Sequence, residues 1–412
     1  MNGRSLYITH EIPGAGGQIK QTADDFLVDE IPLYEPRGEG VHTYLDVQKR
    51  GIPTAEAAVR LGQYFGVNPR DIGYAGMKDA QAVATQRFSI ERLPVEEALN
   101  ARIKNVEILN ARLHTNKLRV GHLAGNRFTI RLRGGEPHAL ESARQVLERL
   151  SQTGAPNFYG MQRFSGRRNG HRIGRSILLE NWQEALDEYL GRPQPDEPPW
   201  IVDARTAYEN GDYDAARKRF PLPERRNERR VLGGLLRRLT PKHALRQISY
   251  RIRRIFVSAY QSWLFNRVLN MRMPNLGTLL EGDIAYKHRG GACFLATDAE
   301  KEQPRADDFE ISPTGPLFGV KMLQPTGEPR RMEDRVLQEQ GVEPSAMQAA
   351  FAAVNGARRP LRVPVMEANA WQEEDAVVCA FRLPSGSYAT VVMDEIMKRG
   401  TLDLFEKDVV NR

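Results

Sequence analysis

Gly73-Tyr74-Ala75-Gly76-Met77-Lys78-Asp79-Ala80-Gln81-Ala82-Val83-Ala84-Thr85-Gln86-Arg87-Phe88 sets a Lys-Asp pair between glycines and alanines. Small residues let the backbone approach a partner closely there, without side chains in the way. From Thr85 to Ile90, polar residues alternate with apolar or β-branched ones, which predicts a half-buried strand. Asp79 is thereby presented on a loop that a sheet holds still. Locally, an Asp after Gly-x-Lys is more often a turn former or helix cap than a nucleophile, so other stretches must decide its role.

Upstream, Phe26-Leu27-Val28 and Thr43-Tyr44-Leu45-Asp46-Val47 read as strands, and Thr54 after Pro53 as the cap of a helix running to about Phe65. Downstream, strands are predicted at Val106–Leu109, Leu118–His122 and Phe128–Arg133. Leu140, Ala143, Leu147 and Leu150 then recur at helical spacing, which predicts an amphipathic helix over 138–151. Helices mixed with adjacent strand runs predict a mixed α+β sheet domain rather than a doubly wound one. At Gly154-Ala155-Pro156 the character changes. Residues 157–175 are rich in Gly and Arg, the Pro-rich 191–199 reads as an exposed turn, and a long helix is predicted from Arg246 to Asn270 with Ile248, Ile252, Ile255, Ala259 and Trp263 on one face.

A chain of 412 residues leads us to expect two to three domains. Its net charge of +7 favours an anionic partner, nucleic acid or a membrane surface. The charge is concentrated: from Arg217 to Arg254 fourteen Lys and Arg stand against Glu224 and Glu228, a local net of +12, leaving about −5 for the remainder. Arg225, Arg226, Arg229 and Arg230 are the candidate phosphate contacts in that segment, the alternative being a solvated helix face. No apolar run approaches the roughly 20 residues of a spanning helix, and Met1 to His10 lacks a signal-peptide layout, so a cytoplasmic protein without membrane contact is expected. Cys293 and Cys379 read as small buried hydrophobes, with no disulfide and no zinc expected. The eight histidines show no metal-ligand spacing. Asp24, Asp25, Asp29 and Glu30 would suit a metal-dependent nuclease, yet they alternate with apolar residues as a strand's solvated face does.

Seven strings in one order carry more weight than any one of them. Lys20 with Asp25-Phe26-Leu27-Val28-Asp29-Glu30, the Asp79 loop, Asn126-Arg127-Phe128-Thr129-Ile130, Phe158-Tyr159-Gly160-Met161-Gln162-Arg163-Phe164, Ser258-Ala259-Tyr260-Gln261-Ser262, Arg358-Arg359-Pro360-Leu361 and Phe381-Arg382-Leu383-Pro384-Ser385-Gly386-Ser387-Tyr388 together resemble the TruD family of tRNA pseudouridine synthases, from about Lys20 to about Thr390. The resemblance implies a mixed-sheet catalytic domain in two parts, 1–156 and 356–412, with an inserted α/β TruD-specific domain at 157–355. The sheet would be completed by Leu361-Arg362-Val363 and Ala376–Phe381.

It also implies isomerisation of a tRNA uridine, expected at position 13, with no cofactor and no metal; no obligate protein partner is evident from the sequence. Asp79 would be the nucleophile, and Lys20 the basic neighbour that keeps it ionised despite burial. Phe128 would stack on the flipped base and Asn126 read the uracil edge or ribose, with Phe26 and Phe381 lining the pocket. Ordinary strand core is the competing reading for all three phenylalanines. In one place the chain departs from the family: Met393-Asp394-Glu395 puts an acid where the family usually has Arg before Glu. This puts a backbone or phosphate contact in doubt. A non-catalytic RNA-binding protein on the same fold is the alternative.

Overall fold

The computed structural model describes residues 7–343, 345–346 and 354–400. Residues 1–6, 344, 347–353 and 401–412, on which parts of the terminal and domain-boundary expectations fall, lie outside the described residues. The described residues form two compact units, one from 7–157 and 362–400, the other from those between 158 and 361.

The first unit begins with β1 (Gly16–Gln18), β2 (Phe26–Pro32), β3 (His42–Arg50), α1 (Thr54–Phe65), β4 (Gly73–Tyr74), β5 (Val83–Glu91), α2 (Val95–Leu99), β6 (Val106–His114), β7 (Leu123–Gly135), α3 (Ala139–Thr153) and β8 (Ala155–Pro156). The second unit follows with seven helices, α4 (Gly170–Leu178), α5 (Trp182–Leu190), α6 (Pro199–Glu209), α7 (Tyr213–Arg219), α8 (Arg226–Leu236), α9 (Pro241–Leu245) and α10 (Tyr250–Arg272). It continues with β9 (Ile284–Lys287), β10 (Cys293–Leu295), α11 (Ala299–Asp307), β11 (Ile311–Leu317), α12 (Gly327–Glu339) and β12 (Ala357–Pro360). The chain then returns to the first unit as β13 (Arg362–Val363), β14 (Met366–Glu373), β15 (Ala376–Pro384) and α13 (Ala389–Met397).

The main sheet runs β14-β15-β7-β2-β5-β3-β6, with β1 on β7 and β4 on β5. Among the described residues of this sheet only β2 and β5 run parallel, so the sheet is mixed. Side chains alternate across a strand, and the register therefore assigns faces. Phe26, Val28, Phe128, Ile130 and Phe381 share one face and pack against Ala143, Val146 and Leu147 of α3 and Val392 and Ile396 of α13. Leu45, Val47 and Phe88 lie on the same face and pack against Ala57, Ala58 and Leu61 of α1. Each Val, Leu, Ile or Phe among them, fully buried, contributes about 1.5–3 kcal/mol. Between these two apolar clusters the same face carries a polar strip of Glu30, Lys49, Gln86 and Asn126.

Several expectations are corrected. The Thr85–Ile90 strand is buried on both faces rather than half-buried: Phe88 and Ile90 face the apolar cluster with α1, while on the other face Arg87 meets Tyr34 and Glu35 and the Ser89 hydroxyl accepts the Leu118 N–H. Leu118–His122 is a loop: Gly121 adopts φ +97, a left-handed value that breaks a strand, and its N–H donates to the Ala75 carbonyl at 2.8 Å. Pro53, not Thr54, caps α1, which Gly66 ends at φ +66. Leu361 to Val363 do not extend the main sheet. β13 pairs with β8, while β12 pairs with β11 in the second unit, so the return crossing falls after Leu361 rather than at 356.

The second unit joins its helices to a four-stranded antiparallel sheet, β10-β9-β11-β12. Its long helix is α10, on which Ile255 is half exposed. Ile248 precedes the helix, and burial is concentrated from Val257 onward. Cys379 is buried, whereas Cys293 is only half-buried.

Candidate active site

Asp79 sits on the loop between β4 and β5, at the polar strip, and the strip builds its setting. Lys49, on the inward-facing side of β3 after Leu45 and Val47, is 0% exposed; its Nζ donates to the main-chain carbonyls of Asp79 and Ile52, both at 2.7 Å. Burial pulls the Lys49 ammonium down to about 8, a shift the nearby Asp79 opposes and Lys78 reinforces. From the helix side, the Thr54 hydroxyl accepts the Lys78 N–H at 2.8 Å and donates to Gln86 Oε1 at 2.7 Å. The loop backbone is therefore held at both residues of the Lys-Asp pair. Thr54 acts here on the loop and not as a helix cap.

The two side chains of that pair point to different partners. Lys78 Nζ forms an ion pair with Glu30 at 2.9 Å, both side chains nearly inaccessible, and donates to Asn126 Oδ1 at 2.7 Å. Asn126 stands opposite Glu30 in the β2–β7 register, so Lys78 ties the loop to two strands at once. Asp79 instead meets Lys20, whose Nζ donates to Oδ2 at 2.6 Å. Lys20 holds a left-handed backbone, φ +60, which is unfavourable for a residue with a Cβ and is the kind of strain that collects at functional sites. The Asp79 side chain is 39% exposed, so the carboxylate is half open to solvent rather than buried as expected.

Lys20 Nζ also lies 4.1 Å from the centroid of the Phe26 ring. Phe26 packs edge-on against Phe128 at 6.1 Å, and Phe128 packs against its register partner Phe381 at 5.7 Å. Phe26 thus touches the Lys20–Asp79 pair, while Phe128 and Phe381 continue inward from it, 6% and 1% exposed and embedded in the apolar cluster with α3 and α13. The structure brings together Lys20, Asp79 and Phe26, and, through Lys78, Asn126.

Asp25 and Glu30 are not on a solvated face. Asp25 is fully buried and accepts from Arg133 Nε at 2.8 Å and from the Thr22 N–H at 2.8 Å. Glu30 is committed to Lys78. Among the described residues no group of three or more His, Cys, Asp or Glu is placed to hold a metal ion, and no helix is long and apolar enough to cross a membrane. Asp394 is buried near Tyr7, whose hydroxyl donates to it at 3.4 Å. Its neighbour Glu395 accepts from the Ile8 N–H and from the Thr9 hydroxyl. The acid in place of the family's Arg therefore serves the packing of α13 on the N-terminal segment.

The four candidate arginines of the second unit differ from one another. Arg225 pairs with Glu228 at 3.1 Å and Arg229 donates to the Phe220 carbonyl at 3.1 Å. Arg226 and Arg230 are exposed on α8 with no ion pair among the described residues.

Reasoning from sequence missed Lys49, Thr54 as a loop anchor, and the Lys78–Glu30 pair. Lys49 had a usable signal, since the alternation Leu45-Asp46-Val47-Gln48-Lys49 places a lysine on the buried side.

The chain that folds this way has counterparts among known proteins. The family model described as tRNA pseudouridine synthase D (TruD) matches residues 2–396. A protein of that name from Geobacter metallireducens is 44% identical, the match covering 98% of this chain and 100% of the relative; one from Geobacter sulfurreducens is 46% identical, covering 96% and 97%. A crystal structure from Methanosarcina mazei assigned to the same synthase superposes with a TM-score of 0.81 at 29% identity, covering 97% of each chain. The chain belongs to the TruD family.

Proposed function

We propose that this protein isomerises a uridine of tRNA, expected to be uridine 13, to pseudouridine, with Asp79 as the nucleophile. The observation that carries the reading is the Asp79 carboxylate itself, half open to solvent, paired with Lys20 at 2.6 Å and fixed from behind through its own carbonyl by Lys49. The reaction breaks the C1′–N1 bond of the nucleoside and forms C1′–C5. The C5 proton leaves to solvent and N1 gains one, so no electrons are gained or lost and no redox or group carrier is needed. A clamped carboxylate suits such a step because nucleophilic attack depends on orientation. Lys20 keeps a positive charge at the carboxylate, and its contact with Phe26 joins the charged pair to an aromatic wall. Asn126, with its carbonyl oxygen held by Lys78, would turn its amide donors toward the base or ribose. A tRNA substrate would place the work in the cytoplasm.

The test is to map pseudouridine in total tRNA treated with the protein without added cofactor, and to follow tritium release from 5-labelled uridine. Wild-type protein should release label and Asp79→Asn should not. Near-wild-type release by Asp79→Asn would remove Asp79 from the chemistry. Absence of pseudouridine with the wild type, together with retained tRNA binding, would favour the non-catalytic RNA-binding reading.

A further inference from the structure

On the sheet unit, away from the residues assigned above, a cavity of about 450 Å³ is lined by His42, Thr115, Asn116, Lys117, Arg119 and His122. None of the six is acidic. Lys117 and Arg119 have no ion pair or hydrogen bond from their side chains among the described residues, in a unit where most cations are paired. His42 Nδ1 is buried without a hydrogen-bond partner among the described residues. His122 is fixed by Tyr34, whose hydroxyl lies 2.7 Å from Nδ1. The lining thus offers two cations, an amide, a hydroxyl and two imidazoles, a donor-rich set that suits an anionic oxygen ligand.

The position of the cavity indicates which ligand. The 115–122 loop is bonded to the start of the Asp79 loop and to the strand that follows it: Gly121 N–H donates to the Ala75 carbonyl at 2.8 Å and Leu118 N–H to the Ser89 hydroxyl of β5 at 3.0 Å. Ala75 is four residues from Asp79, at most about 14 Å of chain, and His122 is four residues from Asn126. On β3, His42 stands seven residues from Lys49, about 23 Å along the strand and on the opposite face of the sheet, so a polynucleotide with its target base at Asp79 would bring to this wall a phosphate several nucleotides away. We infer that the cavity binds a backbone phosphodiester of the RNA substrate several nucleotides from the target, an inference that rests on the proposed tRNA reading.

The test compares wild type with the double variant Lys117→Glu/Arg119→Glu, and with the milder Lys117→Gln/Arg119→Gln should the first fail to melt cooperatively. The readouts are tRNA affinity over a range of salt, turnover at saturating tRNA, and the melting temperature in inorganic phosphate. The expected result is weaker tRNA binding by about tenfold or more, a slope of log affinity against log salt flatter by about one to two, and turnover within about threefold of wild type. An unchanged slope and affinity in a folded variant overturns the inference. So does a phosphate-induced rise in wild-type melting temperature that the variant loses while its tRNA binding is untouched, which would make this a site for free phosphate. Wild type that binds tRNA through this slope yet makes no pseudouridine would sink the catalytic proposal and leave this one standing. Wild type that binds no tRNA would sink both.

Discussion

Lysines 20, 49 and 78 around the polar strip each meet an oxygen within 3 Å, two of them almost wholly buried. In the Arg217–Arg254 segment of the other unit, Arg226 and Arg230 stand exposed and unpaired among the described residues. Desolvation explains the contrast: a cation taken out of water costs several kcal/mol unless it is fully partnered, whereas an exposed one keeps its hydration and stays available to an incoming anion. The lesson is a division of labour between like charges. Buried, paired cations fix geometry and should act on turnover; exposed, unpaired ones should act on affinity and its dependence on salt.

The sharpest way to break this division is Asp79→Asn, which keeps the shape of the loop and its main-chain bond to Lys49 but removes the carboxylate. Turnover should fall by about 10³-fold or more with tRNA affinity and the thermal melt nearly unchanged. A loss of affinity equal to the loss of turnover would contradict it. Next in size is Phe128→Ala, expected to lower turnover by about 5–150-fold, matching a base-stacking contribution of about 1–3 kcal/mol, with little change in tRNA binding. Because the ring is 6% exposed, about 3–5 kcal/mol of stability should go with it. If a variant that still melts cooperatively keeps near-wild-type turnover at saturating tRNA, Phe128 is core and nothing more.

Lys49 separates geometry from charge. Lys49→Met should cost about tenfold in turnover, about 1.4 kcal/mol of barrier. Its ammonium, held at about 8 in the folded protein against 10.5 ordinarily, gives a pH signature. Between these values the unfolded chain binds the extra proton, so the Lys49 contribution to stability grows as pH rises through that window. Turnover should therefore decline above about pH 8 without a matching loss of stability from this group. Lys49→Arg, which keeps its charge, should move the decline upward; superimposable pH–kcat profiles for wild type and Lys49→Arg would remove Lys49 from it. The smallest effect on chemistry belongs to Arg226→Glu/Arg230→Glu, which should flatten the salt slope of tRNA binding by about two and leave turnover at saturation within about threefold. The same reversal at Arg225 and Arg229 should disturb stability more than the slope, because both already have partners within the chain.

The sequence made the alternating strands, α1, α3 and the loop presenting Asp79 legible, because period-2 and period-3.6 patterns report faces directly. It could not bring Lys20 to Asp79 by periodicity: the residues are 59 apart and meet only through the ordering of β1, β2, β5 and β7 in the sheet, so the resemblance had to supply that pair. Asp25 and Glu30 were misread as solvated because their cations, Arg133 and Lys78, come from distant strands and loops. Leu118-Arg119-Val120 has strand-like composition, and only the hydrogen bonds to Ala75 and Ser89 reveal why it is a loop.

Phe128 and Phe381 face each other in register on neighbouring strands, yet the ribosome makes them far apart in time. From the end of β7 at Gly135 to the start of β15 at Ala376, a nascent chain growing at about 5–20 residues per second takes about 10–50 s. Throughout that interval the backbone of β7 that will pair with β15 lacks its neighbour, an open edge of the kind that invites aggregation. The aromatic wall is closed only after the whole inserted unit has been synthesised. Stalled chains ending before Ala376 should therefore stay chaperone-bound or aggregate, while chains ending after Met397 should resist protease; a soluble, resistant chain lacking β15 would show that the edge needs no such protection. The order of manufacture thus makes the aromatic wall the last part to be finished, so a half-made chain has the exposed arginines of α8 before Phe128 has its partner Phe381.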